Sequence, residues 1–380
     1  MSAPVILVQM AFSATEVNQV DVTPWLTGQI ALSRGRSRET DQFAAGRLTY
    51  TLRNEDRRFD PNNAASPYAP WMIPGIFVFV FLGGKLIFIG QVDDWDLGYI
   101  KPNIATVTIH CSDGLTGVAQ AAVYGYSAAA QDSLSRAQAI VTRPEVTPNC
   151  SIGLLAPWPS TSYAQLRANT FDNLLALDLL KTTAISEGGF FFCRADGFLL
   201  LTYRNYLHDQ RVNFPAGQIA FSDSGVAPGG PFGYVDVGMI SGNTLLFNRV
   251  TGQRSGGVPQ RVDDSASQSK YHIRTLSLAA LENDTDADAG ILCSFWLALY
   301  KDPLERVDTL TVELSALSAA DQATLAQVEL LTLASIDFHP PGGGSAISQL
   351  CAVEKLDYSL DVSASSYRMT IGFMNMANVP

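Results

Sequence analysis

The residues of this chain best equipped for chemistry are the acids around a tryptophan at Asp93-Asp94-Trp95-Asp96. A glycosidase uses two carboxyl groups held about 5–9 Å apart across a cleft, with an aromatic platform for the sugar. Adjacency along the chain does not indicate a cleft. We therefore favour the alternative interpretation, the end of a strand that carries solvated acids and one packed tryptophan.

Metal ligation is the second chemistry to consider. Asp284, Asp286 and Asp288 have the spacing that opens a calcium loop, but Ala289 stands where the glycine should follow and Phe295 where the closing glutamate belongs. The same acids suit the first turn of a helix, where negative charge is favoured by the helix dipole. The histidines form no HExxH motif and no i, i+4 pair; they are His110, His208, His272 and His339.

Nucleophilic and phosphate-binding motifs are absent from the sequence. No serine lies in a GxSxG elbow, and the run Gly342-Gly343-Gly344 lacks the GK[ST] ending of a phosphate loop. This run is interpreted as a flexible hairpin tip, and the Gly-Gly pairs at 229–230 and 256–257 as turns. We therefore predict no catalytic, metal or cofactor-binding residue, no cofactor and no enzymatic activity.

A cluster of opposite charges lies between residues 34 and 60. Arginines alternate with acids, so the net field is small. We favour salt-bridged loops at a subunit interface over a nucleic-acid patch. The basic members are Arg34, Arg36, Arg38, Arg53, Arg57 and Arg58, and the acidic ones are Glu39, Asp41, Glu55, Asp56 and Asp60.

Composition favours an assembly protein. Hydrophobic residues make up 47% of the 380 residues and charged residues only 16%, where about a quarter is usual. A surface so poor in charge is expected to be buried in an oligomer. The net charge of −11 argues against an exposed basic face for nucleic acid, whereas an acidic channel would let DNA pass without adhering to it.

The cysteines and the apolar segments indicate a cytoplasmic site of synthesis. The five cysteines are widely spaced and odd in number, which favours buried free thiols over disulfides or metal clusters; they are Cys111, Cys150, Cys193, Cys293 and Cys351. The N-terminus has no basic region ahead of its apolar run, so no signal peptide is predicted. The longest apolar run, residues 76–82, is far shorter than the roughly 20 residues of a membrane helix.

The first unit, residues 1–120, is predicted to be a small antiparallel β-barrel. A charged loop over residues 32–47 leads into a strand on which Leu48, Tyr50 and Leu52 share one face. Further strands are predicted at 5–12, 76–82, 86–92 and 105–111. The strand at 76–82 is apolar on both faces, so it needs a core on one side and a partner or second layer on the other. Gly83-Gly84 predicts a tight hairpin after it.

The second unit, residues 121–232, is predicted to be an α+β module. A helix is expected from an N-cap at Thr170, with Phe171, Leu174, Leu175 and Leu179 on its buried face. Gly188-Gly189 should end this helix. A hairpin around a type I′ turn at Asp196-Gly197 follows.

The third unit, residues 233–380, is predicted to be a second β-barrel with a helical insertion near 263–305. Strands are expected at 244–253, 307–314, 349–359 and 367–373, with a helix at 285–300. The fold class is thus mainly β with α+β insertions, with two barrels flanking the helix-plus-hairpin module.

Several stretches of the chain resemble a family of tail-tip (minor tail) proteins of long-tailed phages, related to the baseplate hub. The most specific runs from Arg34-Gly35-Arg36-Ser37 to Phe59-Asp60-Pro61. Others, in the order of the family, are residues 171–175, 187–192, 196–199, 203–204, 246–251, 271–276, 287–300, 303 and 306–307. Residues 124–164 do not align.

The resemblance implies a structural virion protein, assembled in the host cytoplasm and located at the phage tail tip. Such hubs are homotrimeric rings whose two tail-tube-like barrels per chain mimic sixfold symmetry. The implied partners are distal tail or tail-tube rings above, a central fibre, spike or other minor tail proteins below, and the tape measure protein. DNA would only transit the lumen, no membrane insertion is expected, and any spike or lysozyme activity would belong to a partner chain.

Two other functions stay open. One is a hexameric distal tail ring that carries receptor-binding proteins, which stoichiometry would distinguish. The other is a carbohydrate-active or carbohydrate-binding tail module, for which tryptophans could act as sugar platforms. These tryptophans are dispersed as structural ones usually are, at Trp25, Trp71, Trp95, Trp158 and Trp296.

Overall fold

The computed structural model describes residues 3–13, 16–147, 154–155, 163–213, 218–242 and 244–379. In these ranges the chain is mainly β. The helices are α1 (Gly114–Gln120), α2 (Ser133–Val141), α3 (Ala176–Glu187), α4 (Tyr206–Asn213), α5 (Ser265–Tyr271), α6 (Asp286–Tyr300) and α7 (Ala319–Leu325).

Strands occur throughout the ranges of the three predicted units. Those before residue 120 are β1 (Ile6–Ala11), β2 (Gln19–Asp21), β3 (Leu26–Gly35), β4 (Ala44–Arg53), β5 (Phe77–Leu82), β6 (Lys85–Ile100) and β7 (Ile104–Ser112). Next come β8 (Ala122–Val123), β9 (Tyr126–Ala128), β10 (Gln131–Asp132), β11 (Leu154–Leu155), β12 (Gln165–Leu166), β13 (Asn169–Phe171), β14 (Leu174–Leu175), β15 (Phe191–Cys193), β16 (Leu199–Leu201) and β17 (Ile219–Ser222). The last are β18 (Asp236–Ser241), β19 (Arg249–Arg254), β20 (Gln260–Asp263), β21 (Thr275–Leu281), β22 (Glu305–Glu313), β23 (Leu333–Phe338), β24 (Ile347–Asp361) and β25 (Ser366–Asn375).

A single sheet of 13 strands joins the first and third units. Its main order is β18-β22-β25-β24-β3-β4-β7-β6-β5-β1-β2, and β23 pairs with both β24 and β17. The connection between the units is the antiparallel pairing of β24 with β3. One apolar core runs under both halves. The two strand-rich units are therefore continuous, and their closure into two separate barrels, like the unit boundaries, remains a prediction.

The period-two patterns of the first unit are confirmed. Leu48, Tyr50 and Leu52 of β4 are almost fully buried, and β7 alternates buried and partly exposed residues as expected. Gly83 and Gly84 have φ angles of 55° and 75°, the left-handed backbone that a two-residue hairpin between β5 and β6 requires.

The predicted charged loop exists but is shorter than expected: β3 continues to Gly35 inside the sheet, and the loop spans residues 36–43 before β4. Ile30, Leu32, Arg34 and Arg36 are all buried, so two arginines occupy inward positions of an ordinary alternation. Gly35 has φ 119°, and a Cβ there would lie 2.2 Å from the carbonyl oxygen of Glu354. Only glycine allows this approach of the two backbones.

Arg34 ties all three units together. Its Nη2 donates hydrogen bonds to Glu329 Oε1 at 2.7 Å and to the carbonyl oxygen of Cys193 at 2.9 Å. The other carboxylate oxygen of Glu329 accepts from the backbone N–H of Ala195. The arginine is 3% exposed, so its charge is neutralised inside the chain.

Two further buried ion pairs, Arg36–Glu354 and Arg306–Glu39, lie near Arg34. Arg36 Nε donates to Glu354 Oε2 at 3.1 Å, and its guanidinium lies 5.0 and 4.9 Å from the ring centroids of Phe43 and Phe190. Glu39 lies 3.3 Å from Arg306. The expectation that this charge cluster forms loops at a subunit interface is wrong for these residues, because their partners belong to the same chain.

The middle unit has its own core, formed by α1, α2, α3 and the β15–β16 hairpin. The predicted start of α3 is wrong: Thr170 lies in β13, Leu174 and Leu175 pair with β8, and Leu175 is the N-cap. Phe171, Leu174 and Leu175, which the apolar spacing assigned to the buried face of a helix, therefore lie in short paired strands. The predicted end is confirmed by the left-handed C-cap Gly188.

The hairpin after α3 is confirmed, but its turn type is not. Gly197 has φ 82°, whereas Asp196 has no positive φ. Gly197 N donates to the carbonyl oxygen of Arg194, which is the bond of a type I turn with glycine in the fourth position.

The third unit carries a small layer of its own. Strands β20, β19 and β21 form a three-stranded sheet against which α6 packs through Cys293 and Leu297. The predicted helix start is confirmed by a capping box between Thr285 and Asp288.

Replacing Arg36 by methionine should lower the free energy of unfolding by about 3 kcal/mol, because Glu354 would lose its buried cation. Urea denaturation measures this loss. Arg368→Met is the matched control, since Arg368 is 61% exposed beside Glu313 and an exposed pair contributes about 0–1 kcal/mol. Equal losses in both variants would contradict the role given to the buried pair.

Stability should also depend on the protonation of Glu354. Burial raises the pKa of this carboxyl from 4.5 to about 7, against the lowering effect of Arg36. Between these two pH values the folded protein keeps a proton that the unfolded chain releases. The contribution of Glu354 to the free energy of unfolding is therefore fully present below pH 4.5 and is lost as the pH rises through about 7. The urea midpoint of the wild-type protein should therefore fall as the pH rises across this range. Glu354→Gln should reduce this fall, whereas Glu55→Gln, on an exposed loop, should leave it unchanged.

Candidate assembly surfaces

The acidic tetrapeptide lies within β6 and not at a strand end as predicted, and the β6–β7 ladder shifts register between Val92 and Asp94. Asp93 accepts a hydrogen bond from Ser112, and Asp96 pairs with His110 across the β6–β7 ladder. Trp95 packs against the core. The acids are thus engaged in cross-strand contacts or open to solvent, which is how the alternative interpretation described them.

The other candidate ligands are also dispersed. Asp286 accepts a hydrogen bond from Arg254 at 2.7 Å, and Asp288 caps α6. His208 and His339 each contact a single aspartate, Asp209 and Asp223. In the described ranges, no three His, Cys, Asp or Glu side chains group closely enough to hold a metal ion.

Four of the five cysteines are buried free thiols, at Cys111, Cys193, Cys293 and Cys351. Cys150 and Trp158 lie outside the described residues. Burial raises the pKa of Cys351 to about 12 and raises that of Cys111 strongly. Burial and a raised pKa are typical of structural rather than reactive thiols.

The doubly apolar strand β5 produces an unusual surface. Its inward residues Val78, Val80 and Leu82 are fully buried. Its outward residues continue across β1 and β6 through the pairs of Phe81 with Leu7 and Leu86 and of Phe79 with Ile89. We call this surface the apolar outer face, consisting of Leu7, Phe77, Phe79, Phe81, Leu86 and Ile89.

The apolar outer face is not part of any apolar core within the described residues. Five of its six side chains are partly exposed, and Phe79 is almost buried among its neighbours. The sequence predicted that a partner or second layer covers this face. A continuous apolar surface rimmed by Gln9 and Gln91 is typical of a protein–protein contact.

The opposite end of the sheet, at β18, has a different feature, an edge strand with exposed side chains. Among the described strands, β18 pairs with β22 alone. Val235, which precedes β18, is 64% exposed, and Ile240 within it is 47% exposed. An edge strand of this length is a template for pairing with another chain.

A cavity of about 300 Å³ opens beside β18. Its apolar wall includes Ile240 and Phe373, and its polar wall includes Glu39, Arg306 and Glu354. These three charged residues are less than 8% exposed. The buried ion pairs that join the two halves of the sheet thus form the floor of this cavity.

The sequence predicted that the apolar strand β5 needs a partner or second layer, but it did not predict the β18 edge or the cavity beside it. The three outward phenylalanines of β5, Phe77, Phe79 and Phe81, were visible in the sequence as part of an apolar strand without alternation. The cavity was not, because its lining residues are far apart in sequence and come together through the β24–β3 and β22–β18 pairings; they are Ser37, Arg38, Glu39, Ile240, Gly242, Thr244, Leu245, Arg306, Asp308, Glu354 and Phe373.

No helix in the described part of the chain has the length and apolarity needed to cross a bilayer. No protein-family model and no curated protein sequence matches the chain. Likeness is found instead among solved structures, and there it spans the whole chain.

The 43 kDa tail protein of prophage MuSo2 from Shewanella oneidensis is similar with a TM-score of 0.63 at 14% identity, over 98% of each chain. A tail protein from Neisseria meningitidis has a TM-score of 0.64 at 10% identity, over 98% of this chain and 96% of its own.

A type VI secretion component from Escherichia coli, described as structurally similar to the T4 bacteriophage tail proteins gp27 and gp5, has a TM-score of 0.50 at 7% identity. The match covers 98% of this chain and 77% of that one. At such identities the likeness establishes the fold. The resemblance to phage tail-tip proteins is confirmed at that level, and this chain has the fold of prophage tail proteins.

Proposed function

We propose that this chain is a structural protein of a phage tail tip, the hub ring that closes the tail tube and adapts it to a central fibre or spike. The observation that carries this proposal is the pair of unlike surfaces at opposite ends of one continuous sheet. The full-length likeness to prophage tail proteins supports it.

Two unlike surfaces on one subunit are what a ring of identical copies needs. A contact in which one surface meets the other is heterologous, and it closes into a ring when the rotation between copies completes a circle. In this proposal the apolar outer face of one copy packs near the β18 end of the next. The low charge content of 16% supports a surface that is largely buried in such an assembly.

The proposed stoichiometry is a trimer. Each copy contributes two strand-rich halves, which we propose to be two tail-tube-like barrels, so that three copies present six similar units. Such a ring would match a sixfold tube or distal tail ring above and a threefold fibre or spike below. The tape measure protein and other minor tail proteins are further proposed partners.

The ring would have a lumen through which DNA passes during ejection. A net charge of −11 supports this role, because negative walls repel phosphate and reduce adhesion. The role needs neither catalysis nor a cofactor, and the protein would be located in the virion after assembly in the host cytoplasm.

Light scattering of the purified protein should give a mass of three times the 41.0 kDa chain. The double variant Phe77→Ser/Phe81→Ser should lower this mass to that of one chain, because the contact loses two aromatic side chains. Ile273→Ser/Ile291→Ser is the matched control, since these residues are 56% and 57% exposed elsewhere, and it should remain assembled.

Leu86→Gln, a milder change on the same face, provides a second test if the double variant does not fold. A wild-type monomer, or a ring unchanged by both face variants, would contradict the proposed contact. A mass of six chains would favour a distal tail ring.

A further inference from the structure

The cavity beside β18 is large enough to hold one aromatic side chain from outside. Its volume is about 300 Å³, whereas an engineered apolar cavity of about 150 Å³ is enough to bind benzene. Its apolar wall is formed by Ile240, Leu245 and Phe373. Ile240 is 47% exposed, so part of this wall is open to solvent and would gain from being covered by an apolar group.

The charges of the cavity cancel one another, so a neutral occupant is favoured. The lining contains three acidic and two basic side chains, and Arg36, outside the lining, supplies the third positive charge. The charges are Glu39 paired with Arg306, Glu354 paired with Arg36, and Asp308 and Arg38, which have opposite signs. A charged side chain entering the cavity would therefore lose its hydration without meeting an unopposed countercharge.

Arg306 favours an aromatic occupant over an aliphatic one. Its side chain is 8% exposed, and its Nε is buried without a hydrogen-bond partner in the described part of the chain. A guanidinium attracts the face of an aromatic ring that lies within about 6 Å. The chain already uses this contact in its interior, where the guanidinium of Arg36 lies against Phe43 and Phe190.

The apolar outer face supplies a group of this kind. It consists of leucine, isoleucine and phenylalanine only. Phe79 is 4% exposed, which leaves Phe77 and Phe81 as the partly exposed rings. Phe77 is paired with the polar Gln91 at the rim, whereas Phe81 lies between leucines of β1 and β6. Residues that anchor a protein–protein contact usually lie near its centre, so Phe81 is the better candidate.

We propose that the ring contact is anchored by Phe81 of one copy, whose aromatic ring enters the cavity beside β18 of the next copy and lies against Arg306 there. This inference rests on the proposed ring, and it identifies the side chain and the cavity through which neighbouring copies recognise each other. The two partners are different parts of the chain, so the contact is heterologous and can close a ring.

Filling the cavity from within tests the inference. Gly242 lines the cavity, its φ lies outside the left-handed range, and a Cβ there would meet no described atom within 4 Å. Gly242→Phe is therefore expected to fold and to occupy the space that Phe81 needs. Light scattering at increasing dilution should show that this variant dissociates at a concentration about tenfold higher than the wild type. Gly242→Ser, which leaves most of the cavity open, is the matched control and should dissociate like the wild type.

The aromatic anchor is tested by a milder change. Phe81→Leu keeps an apolar side chain but removes the ring, so it should also dissociate at a concentration about tenfold higher. Phe77→Leu makes the same change at the rim of the face and should have a much smaller effect.

A photoreactive side chain identifies the neighbour directly. Phe81→benzoylphenylalanine keeps an aromatic ring at this position and forms a covalent bond to adjacent groups on illumination. In a mixture of isotope-labelled and unlabelled copies, mass spectrometry should find residue 81 of one copy joined to Ile240 or Leu245 of another.

The possible failures are distinguishable. A wild-type monomer would remove the ring and this inference with it. A wild-type ring whose dissociation is unchanged by Gly242→Phe and by Phe81→Leu would leave the ring standing and overturn the anchor. Links from position 81 to the apolar outer face of a second copy, or to its strand β21, would also overturn the anchor, because Phe81 would then contact a different surface.

Discussion

The structure depends on two guanidinium groups held out of water at the centre of one sheet. Arg34 occupies an inward position of β3 and Arg36 lies directly after its end, and both are buried where aliphatic side chains would ordinarily lie. An unpaired charge in such a place is very unfavourable, so the fold must deliver Glu329 and Glu354 to these positions. The requirement fixes which strand β3 pairs with and in which register, since a slip of one residue would place both arginines on the opposite face.

The pairing of β3 with β24 also explains where the apolar outer face and the β18 edge lie. By fusing the two strand-rich units through β3 and β24, the chain creates one long sheet with two distant ends. Within the part of the chain that the structure describes, one end of the sheet has an uncovered apolar face and the other has an edge strand with one neighbour.

The sequence predicted the parts of the fold in which local pattern and environment agree. Strand β7 alternates cleanly, and α6 begins at a capping box, so both were predictable from neighbouring residues. Strand β3 was not, because Arg34 and Arg36 replace apolar residues in an alternation that begins with Ile30 and Leu32. The period-two spacing was the available signal, but only contacts with residues about 300 positions away make it stable. The cavity beside β18 was beyond prediction for the same reason.

The pairing of β3 with β24 also governs the order in which the molecule can be completed. Strand β3 emerges early in synthesis, while its neighbour lies more than 300 residues further along the chain. Until that neighbour arrives, the early strands have an open edge that carries two unneutralised arginines. Like charges on such edges repel one another and discourage nascent chains from pairing prematurely. The residues that hold the finished sheet together would thus protect the unfinished one, so that only chains with both halves in place have the surfaces needed to assemble.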